Sequence, residues 1–173
     1  MGKSLRNQIK EHAMSKDQKA RDLKFLGKSV RLSIQAKERG EHPFGALLVG
    51  PDGDVILTGF NSFKEHKGAG HAETNLARDA ASKFDPEFLR KCTLYTSIEP
   101  CAMCAATAYW AEIGTLVYGA TEADLAVVVG ENPENKTLDL PCHNVFDAGA
   151  WRVAVRSYPE FKEEALAPHR GYW

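Results

Sequence analysis

The residues with most chemistry in this chain are His71-Ala72-Glu73 and, further along, Pro100-Cys101-Ala102-Met103-Cys104. One imidazole and two thiolates can hold a zinc ion, and Glu73 is a carboxylate left over. Three protein ligands keep a fourth position on zinc open, so the ion can activate water where a closed four-ligand site would only staple the fold. Zinc lowers the pKa of its water to about 7 and so supplies hydroxide at neutral pH. Glu73, close to His71 but not a ligand, is placed to take the water's proton, pass it to a ring nitrogen and then protonate a departing amine. Those tasks describe hydrolytic deamination of an amidine carbon. A structural zinc site closed by Cys142 or His143 would give Glu73 no task.

The elements that must position these groups are legible as hydrophobic periodicity. Residues 1–16 form a polar, weakly amphipathic arm, and residues 17–173 are expected to form the domain. From Asp17, a helix cap, Ala20, Leu23, Leu26, Val30 and Ile34 keep helical spacing, and Gly40 follows as a stop, predicting a core-facing helix. Gly45 to Val49 and Val55 to Thr58 flank Pro51-Asp52-Gly53 and read as a β-hairpin. A polar, glycine-rich loop then ends at Gly70.

Ala72, Leu76 and Ala80 mark a helix with the His71 and Glu73 pair in its first turn. Thr93 to Ser97 is a strand, Pro100 opens a helix running toward Ile113, and Thr115 to Tyr118 is a further strand. Both ligand sets therefore fall at helix N-termini, where partial positive charge favours thiolate over thiol. The alternation predicts a mixed sheet with helices on both faces. After Asp124 the pattern weakens: 130–135 reads as a loop, 151–156 as a late strand, and 159–166 as a final helix.

Composition sets bounds. A chain of 173 residues with 43% hydrophobic content fits one globular domain with a substantial core. A net charge of −1 supplies no overall positive field for nucleic acid or an acidic membrane. The first 22 residues contain no apolar signal region, and no apolar run approaches the length of a membrane span. Thiolate ligands favour a reducing compartment, so the cytoplasm is expected and a disulfide between Cys92 and Cys142 is disfavoured. Histidines 12, 42, 66, 143 and 169 are expected at the surface or in the core rather than on the metal. Cys92 reads as a small buried apolar residue.

The H-x-E then P-C-x-x-C order resembles the cytidine deaminase-like superfamily, whose signature is known in zinc deaminases. The resemblance covers residues 20–125 and lies nearest the guanine, guanosine and tRNA adenosine deaminase branches. It implies a three-layer α/β/α fold around a mixed five-stranded sheet, one zinc ion per subunit, and a homodimer. By the same resemblance Glu73 is catalytic, while Asn61 hydrogen-bonds the base and Phe44 lines the pocket. Ala72 N–H orients a substrate carbonyl, the Ser97 carbonyl meets the leaving amine, and Trp110 belongs to a guanine-deaminase-like Tyr109-Trp110-Ala111 segment.

The segment 130–173 departs from the guanine and tRNA adenosine deaminase tails and is more similar to bacterial nucleoside deaminase relatives. Tyr172 and Trp173 are candidate lid residues, with His169 or Arg170 near the rim, because the family often closes its pocket with C-terminal residues. The expected activity is ammonia release from a free base or nucleoside: a guanine-like purine, a cytosine-like pyrimidine or a triazine. The rivals are a tRNA adenosine deaminase, disfavoured by the absence of a basic C-terminal cluster, and a non-catalytic zinc-binding module.

Overall fold

The computed structural model describes residues 16–173. The 1–16 arm lies outside the described residues except for Lys16, the first described residue of the first helix.

In chain order the elements are α1 (Lys16–Glu38), β1 (Gly45–Val49), β2 (Val55–Phe60), α2 (Phe63–His66), α3 (Ala72–Lys83) and α4 (Pro86–Leu89). They continue with β3 (Thr93–Ile98), α5 (Ala102–Trp110), β4 (Thr115–Ala120), α6 (Glu122–Val129), α7 (Cys142–Asp147), β5 (Ala154–Ser157) and α8 (Lys162–Leu166). The five strands form one sheet in the order β2-β1-β3-β4-β5. β1 is antiparallel to both β2 and β3, whereas β3, β4 and β5 run parallel. The expected mixed five-stranded sheet is present.

Strand alternation builds a core on each face. Ala46, Leu48, Leu94 and Leu116 point into one cluster with Ala72, Leu76 and Ala105 from α3 and α5. Leu47, Val49, Tyr95 and Val117 point into the other with Phe25 and Leu26 of α1 and Ala165 and Leu166 of α8. Burial on both faces explains why β1 is apolar throughout.

Helix α1 forms where expected and ends at Gly40, whose φ of 76° suits glycine. Its buried face is rotated from the predicted one: Leu26 is buried and Leu23 and Val30 pack on the core as expected, but Ala20 and Ile34 do not. Asp22, Phe25, Leu26, Ser29, Ser33 and Ala36 face inward, while Ile34 is 41% exposed. The helix turns this polar stripe to the sheet because Asp22 has partners there. Tyr95 Oη donates to it at 2.6 Å, Tyr158 Oη at 2.7 Å and Arg156 Nε at 2.7 Å.

Other boundaries moved for local reasons. Helix α5 starts after Pro100 and stops at Trp110, short of Ile113. The last strand is Ala154–Ser157 rather than 151–156, because Trp151 stacks on Tyr109 at 5.4 Å and the Ala150 amide donates to Tyr109 Oη at 2.8 Å. The final helix is α8 between two short 3-10 turns, Pro159–Phe161 and Ala167–His169. Helices α2, in the segment expected to be a polar loop, and α4, α6 and α7 were not anticipated. α6 is opened by a capping box in which Thr121 and Asp124 exchange hydrogen bonds. Cys92 and Cys142 are buried free thiols. No described helix is long and apolar enough to cross a membrane.

Candidate active site

His71 is the N-cap of α3 and Cys101 the N-cap of α5, so Ala72, Glu73 and Cys104 all lie in first helical turns. The loop before His71 is clamped from α3: Asn75 Nδ2 donates to the Phe60 carbonyl at 3.0 Å and to Ser62 Oγ at 2.9 Å. Gly59 lets β2 approach the start of α3, since a Cβ there would lie 2.6 Å from the Ala72 carbonyl oxygen. Cys101 is delivered by the C-terminal end of β3, the edge at which open α/β sheets form their clefts.

The ligand geometry fits zinc. His71 Nδ1 lies 3.5 Å from Cys101 Sγ and 3.4 Å from Cys104 Sγ. Tetrahedral zinc with its ordinary bond lengths separates such nitrogen and sulfur ligands by about 3.6 Å. Among the described residues these three form the group able to hold a metal, with ligand atoms within 4.8 Å of one another. Cys142 and His143 are not in it.

Glu73 is 4% exposed and stands beside this group. Its Oε1 accepts a 2.5 Å hydrogen bond from Thr96 Oγ1, and its Oε2 lies 3.6 Å from Cys104 Sγ. Burial raises the Glu73 pKa, against the opposing effects of the Thr96 hydroxyl and of His71. The Cys101 thiol is lowered by the hydrogen bond from Cys104 and by His71, despite its burial. His71 is in turn raised, because its hydrogen bond to Cys101 and the charges of Cys101 and Glu73 outweigh burial. These shifts describe a compact set of coupled acids able to exchange protons for a metal.

Phe44 lies parallel to His71, with ring centroids 6.3 Å apart and an interplanar angle of 6°. Asn61 is buried, and its Oδ1 accepts the Phe63 amide at 2.9 Å, which leaves the carboxamide NH2 as the group the turn does not use. Ser97 is buried, with its hydroxyl 3.1 Å from that of Ser33. Trp110 is 81% exposed and touches Tyr109, so a single chain does not bring it to the metal ligands.

The tail returns to the site of its own chain. His169 packs 4.8 Å from Phe44, and Trp173 lies 6.2 Å from Phe44 and 4.9 Å from His42. Tyr172 Oη donates to the Glu41 carbonyl at 3.2 Å. Arg170 instead pairs with exposed Glu163.

Three participants were not singled out from sequence: Thr96, His42 and Glu122. Glu122 has its pKa raised to about 7 by burial and by the nearby Cys101 and Glu73. With Glu99, Tyr118, Leu138, Leu140 and His143 it lines a cavity of about 530 Å³. Its place just after β4, at the same sheet edge as Cys101, is the signal that could have found it.

Comparison with known proteins agrees with this site. The family described as cytidine and deoxycytidylate deaminase zinc-binding region matches residues 19–120. A Schizosaccharomyces pombe protein named probable cytosine deaminase is 33% identical over 153 residues, covering 88% of this chain and 93% of that one. The Aquifex aeolicus tRNA-specific adenosine deaminase is 32% identical over 99 residues, 57% of this chain and 65% of that one. The solved guanine deaminase from Nitrosomonas europaea superposes with a TM-score of 0.68 at 25% identity, covering 86% of this chain and 82% of that one.

The His-Cys-Cys group and the family together point to one zinc ion. With a His-Cys-Cys group, a buried carboxylate beside it and a family match over residues 19–120, the chain belongs to the cytidine and deoxycytidylate deaminase zinc-binding family.

Proposed function

We propose that the chain hydrolytically deaminates a free heteroaromatic base, with a cytosine-type pyrimidine as first candidate and a guanine-type purine as second. The observation that carries this reading is the aromatic cluster beside the metal ligands, in which Phe44 lies parallel to His71 and the tail residues His169 and Trp173 pack against Phe44. Aromatic surfaces of this kind suit a flat ring. The relative that aligns over 88% of this chain and 93% of its own length bears a cytosine deaminase name.

In this reading His71, Cys101 and Cys104 hold zinc, which supplies an activated water at neutral pH. Glu73 takes the water's proton as the new C–O bond forms and delivers it to the adjacent ring nitrogen, then takes the remaining hydroxyl proton and passes it to the exocyclic nitrogen as the C–N bond breaks. The products are a carbonyl and ammonia. Thr96 holds Glu73 Oε1, leaving Oε2 to exchange protons. Asn61 Nδ2 and the Ala72 amide, which has no intrahelical acceptor, bind the base's acceptors, and the Ser97 carbonyl receives the amine. Phe44 stacks on the ring, and Tyr172 and Trp173 act as the lid. A homodimer is part of the proposal, because Trp110 is 81% exposed at the end of α5 and pairing is how it would reach a neighbouring site.

The test is ammonia release from zinc-loaded protein supplied with cytosine, guanine, their nucleosides, a triazine and tRNA. Release from a free base supports the reading. The Aquifex relative favours the second reading, tRNA adenosine deamination. Inosine formed in tRNA with no release from free bases would establish that one instead.

A further inference from the structure

His169 is fully buried in the 3-10 turn that carries the tail across the site. Its Nδ1 lies 3.4 Å from Trp173 Nε1. An indole N–H can only donate, so Nδ1 is the acceptor and the neutral ring carries its proton on Nε2. That Nε2 is buried and has no hydrogen-bond partner among the described residues. Buried donors are nearly always paired, so an orphan one calls for a partner from outside the described residues, such as a bound ligand.

The ring is held where such a partner would bind. It packs 4.8 Å from Phe44, which itself lies parallel to the candidate zinc ligand His71. Lys37 Nζ donates to the neighbouring Pro168 carbonyl at 3.0 Å, tying the turn to α1. Burial, with Lys37 and His42 nearby, pushes the His169 pKa down to about 3. The residue therefore remains a neutral donor. A neutral N–H suits an uncharged acceptor and offers little to a phosphate, for which Lys or Arg is the usual partner.

We infer that His169 Nε2–H is a substrate-specificity donor, hydrogen-bonding a carbonyl oxygen or unprotonated ring nitrogen on the edge of the base that faces the tail. The inference rests on the free-base reading above and deepens it, adding to the pocket a contact from the tail itself. It selects bases that present an acceptor on that edge, as neutral heteroaromatic rings with an oxo group or a bare nitrogen do.

The test uses the full-length zinc-loaded protein, with cytosine and guanine as probes. His169→Phe keeps an aromatic ring and removes the donor, whereas His169→Gln retains an N–H at similar reach. The Phe variant should lose about ten- to hundredfold in kcat/KM, chiefly through KM, with zinc content unchanged. The Gln variant should recover most of that loss. In ¹⁵N-histidine NMR of otherwise unaltered protein carrying Glu73→Gln, the Nε2–H resonance should shift on adding whichever base is turned over.

Normal kcat/KM in the Phe variant, a Gln variant as impaired as Phe, or an Nε2–H resonance unmoved by bound base would each overturn the inference while leaving the free-base reading intact. If the Phe variant fails to fold, the Gln kinetics and the NMR titration decide. No turnover of either base by the unaltered protein would overturn the two together.

Discussion

Thr96 Oγ1 donates a 2.5 Å hydrogen bond to Glu73 Oε1, so a strand residue from β3 fixes a carboxylate at the start of α3. The contact crosses the sheet–helix boundary beside Cys104, whose Sγ lies 3.6 Å from the other oxygen of Glu73. Glu73 is thereby held at one oxygen with the second facing the metal ligands.

Replacing Thr96 with Val keeps the shape and removes the donor. Hydrogen bonds to charged groups contribute about 1.5–3 kcal/mol, so kcat should fall by about ten- to hundredfold with KM and zinc content nearly unchanged. Steady-state kinetics with metal analysis checks this. A fall in zinc content parallel to activity would assign Thr96 to ligand support instead.

The Asp22 side chain is fully buried and accepts from Tyr95, Tyr158 and Arg156. It ties α1 to β3, β5 and the segment before α8. Removing one partner of a buried pair costs about 3–5 kcal/mol, because the other charge is left uncompensated. Asp22→Ala should show that loss in urea unfolding, and Asp22→Asn a smaller one.

The contrast between these two residues shows how far the sequence reaches. His71, Glu73, Cys101 and Cys104 were legible because their spacing is local and each set precedes a helical pattern. Thr96 was not, since β3 is buried on both faces and has no polar–apolar alternation to mark a functional side chain. Apolar periodicity found Leu23, Leu26 and Val30 on the inner side of α1 but missed the polar part of that face, because Asp22 is buried through partners more than 70 residues away. Helix α6 follows a capping box of Thr121 and Asp124 that was not singled out from sequence, because the apolar run from Leu125 to Val129 carries no helical stripe. The resemblance put His169 or Arg170 near the rim, and the way the tail folds back brings His169 against Phe44 while Arg170 pairs with Glu163.

Acid should weaken the fold in two stages. His169 has a folded pKa near 3 against 6.5 unfolded, so below pH 6.5 the unfolded chain takes up a proton that the folded chain refuses. Its contribution is full above pH 6.5 and is lost as pH falls toward 3, at up to about 1.4 kcal/mol per pH unit. Burial raises the Asp22 pKa, but hydrogen bonds from Arg156, Tyr95 and Tyr158 outweigh it and leave a net lowering from 3.8. Its stabilisation is therefore present above pH 3.8 and fades below that. Melting curves between pH 7 and 5 should show a slope that His169→Gln reduces and Asp22→Asn does not.

Removing the metal should destabilise the domain as well as inactivate it, because His71, Cys101 and Cys104 join the starts of α3 and α5. Chelation should lower the melting temperature, and added zinc should restore it. Cys104→Ala should match the chelated protein and respond little to zinc. Cys142→Ala should keep its full zinc response, since Cys142 lies outside the ligand group.

The most direct measurement of the central claim is the turnover of Glu73→Gln at full zinc loading on a base that the unaltered protein deaminates. Glu73 serves several proton transfers without binding the metal, so the variant should retain one zinc per chain and lose at least about 10²- to 10⁴-fold in kcat. Near-normal turnover with zinc bound would contradict the account, as would loss of the zinc itself.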